Sequence, residues 1–540
     1  MRRWNGWGEE GVSLSLNDAA RAMLVQKLGE ALPPQDAARE ALLARVPASR
    51  LPEHPAIARD ADARLQVAYG ESYADWLRKR MGALPVVPDG VAWADSSEAV
   101  RELLDLAQRE GWIVLPFAGG TSVAGHLDCP RSERPVLCLR LTRMDRLLHL
   151  DEQSQLATFG AGTPGPLVEA QLRAHGYTLG HFPQSFEYST LGGWVVTRSS
   201  GQQSLRYGRI EQLFAGGRLE APTGRLDIPT FPASSAGPDL REMVMGSEGR
   251  LGVLTEAVVR VARAPAHESF HAVFFPDWDS AEAAVRGLAQ RRLPLSMLRL
   301  SNVEETASNL ILAGHAGLIS MLERYLGWRG CGQGKCLLML GVTGEARAAA
   351  QALKEARRHC RAFGAVYIGT AMGSKWQANR FMGPYLRNTL WALGYAADTI
   401  ETAADWPRVK ACMLAMEQAA QQAFADHGER VHCFTHLSHV YSQGSSVYST
   451  FIYRVAPGGF QPNLARWQHF KNKVSEAIVA AGGTISHQHG VGRDHAPYLA
   501  AEKGELGMST LAALCRAFDP TGLMNPGCLL KTDDAARSSN

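Results

Sequence analysis

PQSFEYSTLGGWVVTRSSGQQSLRYG, residues 183–208, is the stretch whose reading decides the fold. It carries five Ser, two Thr, four Gly and two Arg, and only Leu191 to Val196 is plainly apolar. Buried cores are not written this way. Dense hydroxyls and glycines bring backbone N–H groups and small donors close to a partner rich in acceptors, most commonly a phosphate or pyrophosphate. A Gly/Ser surface loop would use the same residue types, but structureless loops of this length are uncommon without a function.

Two further turns of this kind flank it. AGGTSVAG (118–125) follows the short apolar run Trp112 to Pro116, as phosphate cradles follow strands, yet fits neither G-x-G-x-x-G nor the Walker A pattern. GSEGRLGVLTEAVVRV (246–261) sets Gly246, Gly249 and Gly252 before an alternating β-branched run that reads as a buried strand. Three such turns beside strands point to one large cofactor with a diphosphate, gripped at several places.

At 540 residues the chain is too long for one core, so several domains are expected. Its 46% apolar and 20% charged content is that of a globular protein. Net charge is +3 with the signs interspersed, and no Lys/Arg run marks a nucleic-acid groove. Of nine cysteines only Cys331 and Cys336 are close, at a C-x4-C spacing with no second pair or His beside them, so free thiols in a reducing compartment are expected. Arg2 and Arg3 precede Gly and Glu rather than an apolar segment, so no export signal is expected. No run of ~18 apolar residues predicts a spanning helix. The polar ending DDAARSSN is not of the S-K-L type, which leaves the cytoplasm as the expected location.

Along the chain, Leu16 to Leu28 and Ala37 to Arg45 have helical spacing, with Ser15 and Asn17 as candidate caps and Pro33-Pro34 as a break. Trp4 and Trp7 in WNGWG read as packing anchors, and Pro85 to Pro88 as a linker. Ser96 to Glu110 and Pro164 to His175 predict helices, and Trp112 to Pro116, Pro135 to Leu141 and Gln155 to Phe159 predict strands. The alternation argues for a mixed α/β domain. Residues 269–302 read strand, helix, strand, with Arg299 closing the second strand. Residues 309–328, with Leu310, Ile311, Leu312, Leu318, Ile319, Leu322, Tyr325, Leu326 and Trp328, read as a packed helix. An exposed apolar stripe there would instead mark a lipid-facing patch.

The order PFAGGTSVAG, PQSFEYSTLGGWVVTRSSG with RYGRIE, then GSEGRLGVLTEA resembles the FAD-binding domain of the vanillyl-alcohol oxidase / p-cresol methylhydroxylase superfamily. WNGWG, SHVYSQGSSVYSTF (438–451), GGTISHQHGVG (482–492) and DPTGLMNPGCLL (519–530) extend the resemblance over nearly the whole chain, toward its alkyldihydroxyacetonephosphate synthase branch. The resemblance implies an α+β fold: a two-subdomain PCMH-type FAD-binding domain plus an α/β cap with an antiparallel sheet. The implied division is a mostly helical extension at 1–84, the FAD-binding domain at 85–265, the cap and substrate domain at 266–455, and a segment at 456–540 completing the site. A homodimer is expected, with a small-molecule or lipid-like substrate and peripheral membrane contact.

For the cofactor, the resemblance implies that Pro116, Phe117, Ala118, Gly119, Gly120, Thr121 and Ser122 hold the FAD diphosphate through backbone N–H groups. Gln184, Ser185, Phe186, Glu187, Tyr188, Ser189 and Thr190 follow, then Gly193, Thr197, Arg198, Ser199 and Ser200. Glu248, Gly249, Arg250, Leu251, Gly252, Val253 and Leu254 complete the set, and Asn525 closes the pocket. Ala118 stands where the family has Gly and is tolerable if its φ is negative. Some members tether the flavin through His or Cys near the first loop; His126 lies several residues too late, which implies noncovalent FAD.

For the chemistry, Arg387 in PYLRN matches the substrate-anchoring arginine, suited to a phosphate or a carboxylate, and Arg299 points toward flavin and substrate. Glu401-Thr402 and Trp406 resemble the segment that follows in the synthases. Related 2-hydroxyacid dehydrogenases bind a divalent metal through two His and a Glu. Here those positions are His439, Tyr448 and Gln488, a poor set for a hard cation, so no catalytic metal is expected. In the synthase pattern Tyr448 is a general acid/base on the departing acyl group, and a His takes or returns the C1 proton of the ketone. The run of three His is broken to His487, Gln488, His489. The implied reaction exchanges an acyl chain for a fatty alcohol through a flavin N5 adduct, making an ether. The alternative is an FAD-dependent oxidoreductase of a 2-hydroxy acid or related alcohol, without a metal.

Overall fold

The computed structural model describes residues 1–314 and 316–531. The DDAARSSN ending and residue 315 of the 309–328 stretch lie outside them. The chain divides into two compact units. One is built from Met1–Pro34, Gln202–Tyr207 and Ala264–His487, the other from Gln35–Gly201, Gly208–Arg263 and Gln488–Asn540.

Among the described residues the second unit holds three sheets. β1 (Ile57–Ala58), β2 (Gly90–Trp93), β3 (Ile113–Phe117) and β4 (Val136–Arg140) form one in the order β1-β2-β4-β3, with β2, β4 and β3 parallel. β5 (Leu147–Asp151), β6 (Leu156–Gly160), β8 (Phe214–Ala221), β9 (Gly224–Ile228) and β10 (Val253–Arg260) form an antiparallel sheet ordered β5-β6-β10-β8-β9. β7 (Tyr177–Thr178) and β11 (Ala262–Arg263) make a small third pair. The helix Ser97–Glu110 starts where the Ser96 side chain accepts from the Ala99 N–H and ends on a left-handed Gly111. Its Val100, Leu103, Leu104 and Ala107 pack with Val114, Leu137, Leu139 and Val253, which ties the first two sheets into one core.

In the first unit, β12 (His267–Phe275), β13 (Met297–Ser301), β14 (Cys336–Gly344), β15 (Val366–Gly369), β16 (Tyr395–Asp405), β17 (Val431–Leu437) and β18 (Gly444–Arg454) form one seven-stranded sheet. The order is β15-β12-β14-β13-β17-β18-β16, and every pairing is antiparallel. Helices Asp18–Leu28, Val303–Leu312 and Ala316–Trp328 lie on one face, and Trp406–Ala425 packs against β16, β17 and β18 on the other.

Several expectations are corrected. Residues 1–84 are shared between the units, because Leu16, Ala20, Leu24 and Leu28 pack with Leu390, Tyr395 and Ile452. The break falls at Pro34, and Pro85 to Pro88 lies inside the second unit, where Val87 is buried and the Pro88 carbonyl accepts from Arg64 Nε at 2.7 Å. Residues 456–487 likewise belong with the cap sheet. Arg299 is the middle residue of β13, not its end. The 309–328 stretch spans two helices, and only one side of the second is packed: Ile319, Leu322 and Leu326 face the core, while Leu318, Met321 and Trp328 are 66%, 60% and 79% exposed. All nine cysteines are free and buried.

Candidate active site

The second unit carries the three Gly/Ser turns. In the opening stretch, Leu191–Thr197 forms a short helix that sequence reading passed over as a loop. The Thr190 hydroxyl caps it by accepting from the Gly193 N–H, and Thr197 Oγ1 bonds back to the Gly193 carbonyl. Ser189 accepts from Trp194 Nε1 at 2.7 Å, Ser199 meets His181 Nε2 at 3.2 Å, and Ser122 meets His126 Nδ1 at 2.6 Å. Much of the hydroxyl density that suggested a phosphate cradle therefore holds the turns themselves. Arg198, a left-handed helix end, spends its side chain on Glu242 and the Met245 carbonyl.

What remains fits a group rich in acceptors. Among the described residues the buried Ser200 and Ser247 hydroxyls and His181 Nδ1 find no hydrogen-bond partner, and such atoms are costly unless a ligand satisfies them. Burial, with Arg209 adding to it, pushes the His181 imidazole down to about 3, so it is neutral. Gly119 can only be Gly, because a Cβ there would lie 2.0 Å from the Tyr188 carbonyl oxygen, so the first and second turns interlock. Ala118 is not among the residues with positive φ, and the substitution is accommodated.

Glu248 is the tie among these segments. Burial would raise its carboxyl, but the facing His126 imidazole at 3.1 Å and two backbone amides reverse this and hold it below the usual range. The amides are Val491 N–H at 2.5 Å and Gly492 N–H at 2.7 Å, and Cys528 Sγ donates at 3.3 Å. Asn525 Nδ2 donates to the carbonyls of both Glu248 and His126. Glu248 thus contributes no free carboxylate to a cofactor; it clamps the loop carrying Gln488 and His489 to the glycine turns. His126 Nδ1 is taken by the Ser122 hydroxyl, and its Nε2 lies 3.1 Å from the Glu248 carboxylate.

In the first unit, register assembles a polar row. Glu401 lies opposite Tyr448, Tyr448 opposite His436, and His436 opposite Ser301, across β16, β18, β17 and β13. Directly opposed residues share a face, so this row lies on the side covered by Val303–Leu312. From that helix Glu305 accepts from Arg299 Nη2 at 2.7 Å and meets His436 Nδ1 at 3.0 Å. Burial would raise Glu305, but Arg299 and His436 hold it at about 2. Burial and Arg299 push His436 down, so its ring is neutral, stacked on Tyr448 with centroids 5.0 Å apart. Arg299 is thus held in an ion pair, a role sequence reading did not assign. Burial pushes the Tyr448 phenol up to about 12, opposed by a Thr399 hydrogen bond and by the Arg387 charge.

Arg387 therefore stands near Tyr448, on the helix Leu386–Ala392. The WNGWG segment braces that turn: Asn388 exchanges hydrogen bonds with Trp7 N and O, and Gly8 lies so close to Tyr385 that a Cβ would come within 2.1 Å of its ring. His487 completes the group, 3.7 Å from Glu401 and with its ring centroid 5.0 Å from that of His439. Its Nε2 meets the Tyr441 hydroxyl at 2.7 Å. Sequence reading missed Glu305 and His436, which carry no motif signal, and gave no role to Tyr441, although it lies inside the SHVYSQGSSVYSTF segment two residues after His439. The structure brings Tyr448, Arg387, Arg299 and His487 into one unit; His489 belongs to the loop held by Glu248 in the other.

Two family models match: an FAD binding domain over residues 88–227, and the C-terminal domain of FAD linked oxidases over 264–529. With the fold, they define an FAD-dependent enzyme. Alkyldihydroxyacetonephosphate synthase of Dictyostelium discoideum is 30% identical, over 88% of this chain and 78% of that protein. The synthase of Trypanosoma brucei brucei is 29% identical over 99% of this chain and 94% of its own. A solved alkyldihydroxyacetonephosphate synthase structure superposes with a TM-score of 0.82 at 25% identity, covering 97% of this chain and 98% of its own. The chain belongs to the alkyldihydroxyacetonephosphate synthase family.

Two outcomes are expected. Glu248→Ala leaves two buried amides without an acceptor, so FAD affinity falls at least about tenfold in equilibrium dialysis; unchanged retention would show that the clamp is dispensable. Gly8→Ala displaces Tyr385 and the Arg387 turn, and is expected to raise KM for a phosphate-bearing substrate more than it lowers kcat.

Proposed function

We propose that the protein exchanges the acyl chain of an acyl-dihydroxyacetone phosphate for a fatty alcohol, forming an ether-lipid precursor with noncovalent FAD. The observation that carries this reading is the polar row of Glu401, Tyr448 and His436, with the Arg387 charge acting on the Tyr448 phenol, in a chain of this family. A guanidinium suits the phosphate, and the neighbouring phenol suits an acid/base that protonates a departing carboxylate. A phenol near 12 keeps its proton at neutral pH and can donate it.

The glycine turns and Ser200, Ser247 and His181 are the groups that would hold FAD. When bound, FAD supplies a reversible reactive centre for the three-carbon unit, with no net oxidation. The chain's own groups do the rest: Arg387 anchors the phosphate, Tyr448 serves the acyl departure, and His487 with His489 manages protons. Gln488 can hydrogen-bond but cannot carry a proton.

The helix Ala316–Trp328 supports a lipid substrate. It covers the face of the sheet on which the row lies, and its outer side is apolar, with Leu318, Met321 and Trp328 exposed beside Arg324 and Arg329. An apolar helix side flanked by cations suits a membrane surface, where water-insoluble acyl and alcohol chains reside.

Anaerobic incubation with acyl-dihydroxyacetone phosphate and a fatty alcohol is expected to yield the ether with the flavin oxidised at the end. Stable flavin reduction by a 2-hydroxy acid, with no ether formed, would establish the oxidoreductase alternative instead. Leu318→Ser/Trp328→Ser is expected to lower sedimentation with anionic vesicles about tenfold or more, leaving FAD content unchanged; undiminished sedimentation would remove this helix from the membrane reading.

A further inference from the structure

Tyr441 lies in the tight turn between β17 and β18, where its N–H donates to the Gly444 carbonyl at 2.8 Å. Its hydroxyl meets His487 Nε2 at 2.7 Å. On the other side of the same ring, Nδ1 faces Glu401 Oε2 at 3.7 Å. The side chains of His487 and Glu401 are 2% and 1% exposed, whereas Tyr441 is only half-buried. This is a carboxylate, an imidazole and a hydroxyl in series, the order in which a carboxylate orients a base and the base acts on a hydroxyl.

The order has a chemical consequence. The Glu401 charge 3.7 Å from Nδ1 favours the ring proton on that nitrogen, the tautomer in which Nε2 presents a lone pair to the Tyr441 hydroxyl. Nε2 is then taken by the Tyr441 hydroxyl at 2.7 Å, while Nδ1 faces the buried Glu401 carboxylate. Any proton reaching His487 along this line passes through the phenol. Tyr448 stands differently, stacked on the neutral His436 ring and hydrogen-bonded to Thr399.

We propose that Glu401, His487 and Tyr441 form a proton relay, with Tyr441 the group that takes and returns the C1 proton of the ketone substrate. The proposal rests on the exchange reaction above and assigns the two phenols different tasks: Tyr448 serves the departing acyl group, Tyr441 the carbon. In the forward step the C1–H bond breaks and its electron pair is delocalised onto the C2 carbonyl as an enolate. The proton goes to Tyr441 Oη while the phenol's own proton passes to His487 Nε2. The resulting imidazolium is balanced by the Glu401 carboxylate, and the reverse transfers restore the start. No oxidant or further reactant is required.

The test uses FAD-loaded wild type and Tyr441→Phe, with His487→Gln to assign the His487 signal in 15N-histidine-labelled protein. Two readouts are independent. In 15N spectra, Tyr441→Phe is expected to shift His487 Nε2, since its hydrogen-bond donor is gone; an unchanged signal overturns the relay, whatever the substrate is. In D2O, Tyr441→Phe is expected to slow deuterium entry at C1 of the acyl-dihydroxyacetone phosphate about a hundredfold or more, with KM changed little. Wild-type exchange in that variant overturns the relay while leaving the proposed reaction standing. A wild type that handles no acyl-dihydroxyacetone phosphate overturns the reaction, and with it the task given to Tyr441. Because loss of the phenol could also disturb the turn, 3-fluorotyrosine at 441 supplies a second variant. It is expected to keep C1 exchange while moving the pH profile to lower pH; an unmoved profile overturns the relay.

Discussion

The register of the antiparallel ladder through β16, β18, β17 and β13 is the constraint on which the chemistry of the cap depends. It places Glu401, Tyr448, His436 and Ser301 side by side, with Arg299 two residues along. Side chains alternate faces along a strand, so a slip of one residue would turn the whole row toward the helix Trp406–Ala425. That opposite side is specified in its own right: Thr435, the neighbour of His436, hydrogen-bonds Glu417 of this helix and Ser449 of β18. Each face thus reinforces the register that the other requires.

Two buried carboxylates organise the two units by the same physics. An ionised carboxylate loses its hydration on burial and persists only if charges or hydrogen-bond donors replace the water. Around Glu305 the replacements are Arg299 and His436; around Glu248 they are two backbone amides, a thiol and His126. Because each acid joins segments distant in sequence, its satisfaction is also a statement about tertiary geometry. Residues 248 and 491 are brought together in this way, and so are 299, 305 and 436. Removing either carboxylate strands several donors at once, which is why these acids matter beyond their pairwise energies.

The broken His run acquires a structural meaning in this setting. His487 is backed by Glu401 and faces a phenol, while Gln488 and His489 lie on the loop clamped by Glu248. Substitution at the middle position leaves the carboxylate–imidazole–phenol series intact, because none of its members is residue 488.

The sequence by itself determined the helices with capped ends, the three glycine turns, the α+β class and the family. These depend on local backbone preferences and on motifs short enough to read in order, such as Asn17 before its helix or the Gly119-Gly120 pair in AGGTSVAG. It also placed Arg387, Tyr448 and His487 on a short list of functional residues. Only the tertiary structure decided their partners. Tyr441 and His487 are 46 residues apart, and Glu305 and His436 are 131 apart; no local pattern encodes such meetings. The same reason explains why the hydroxyls of 183–208 read as ligand donors when many cap and brace their own turn. A residue type announces what it can bond to, and only the packed chain determines what stands within reach.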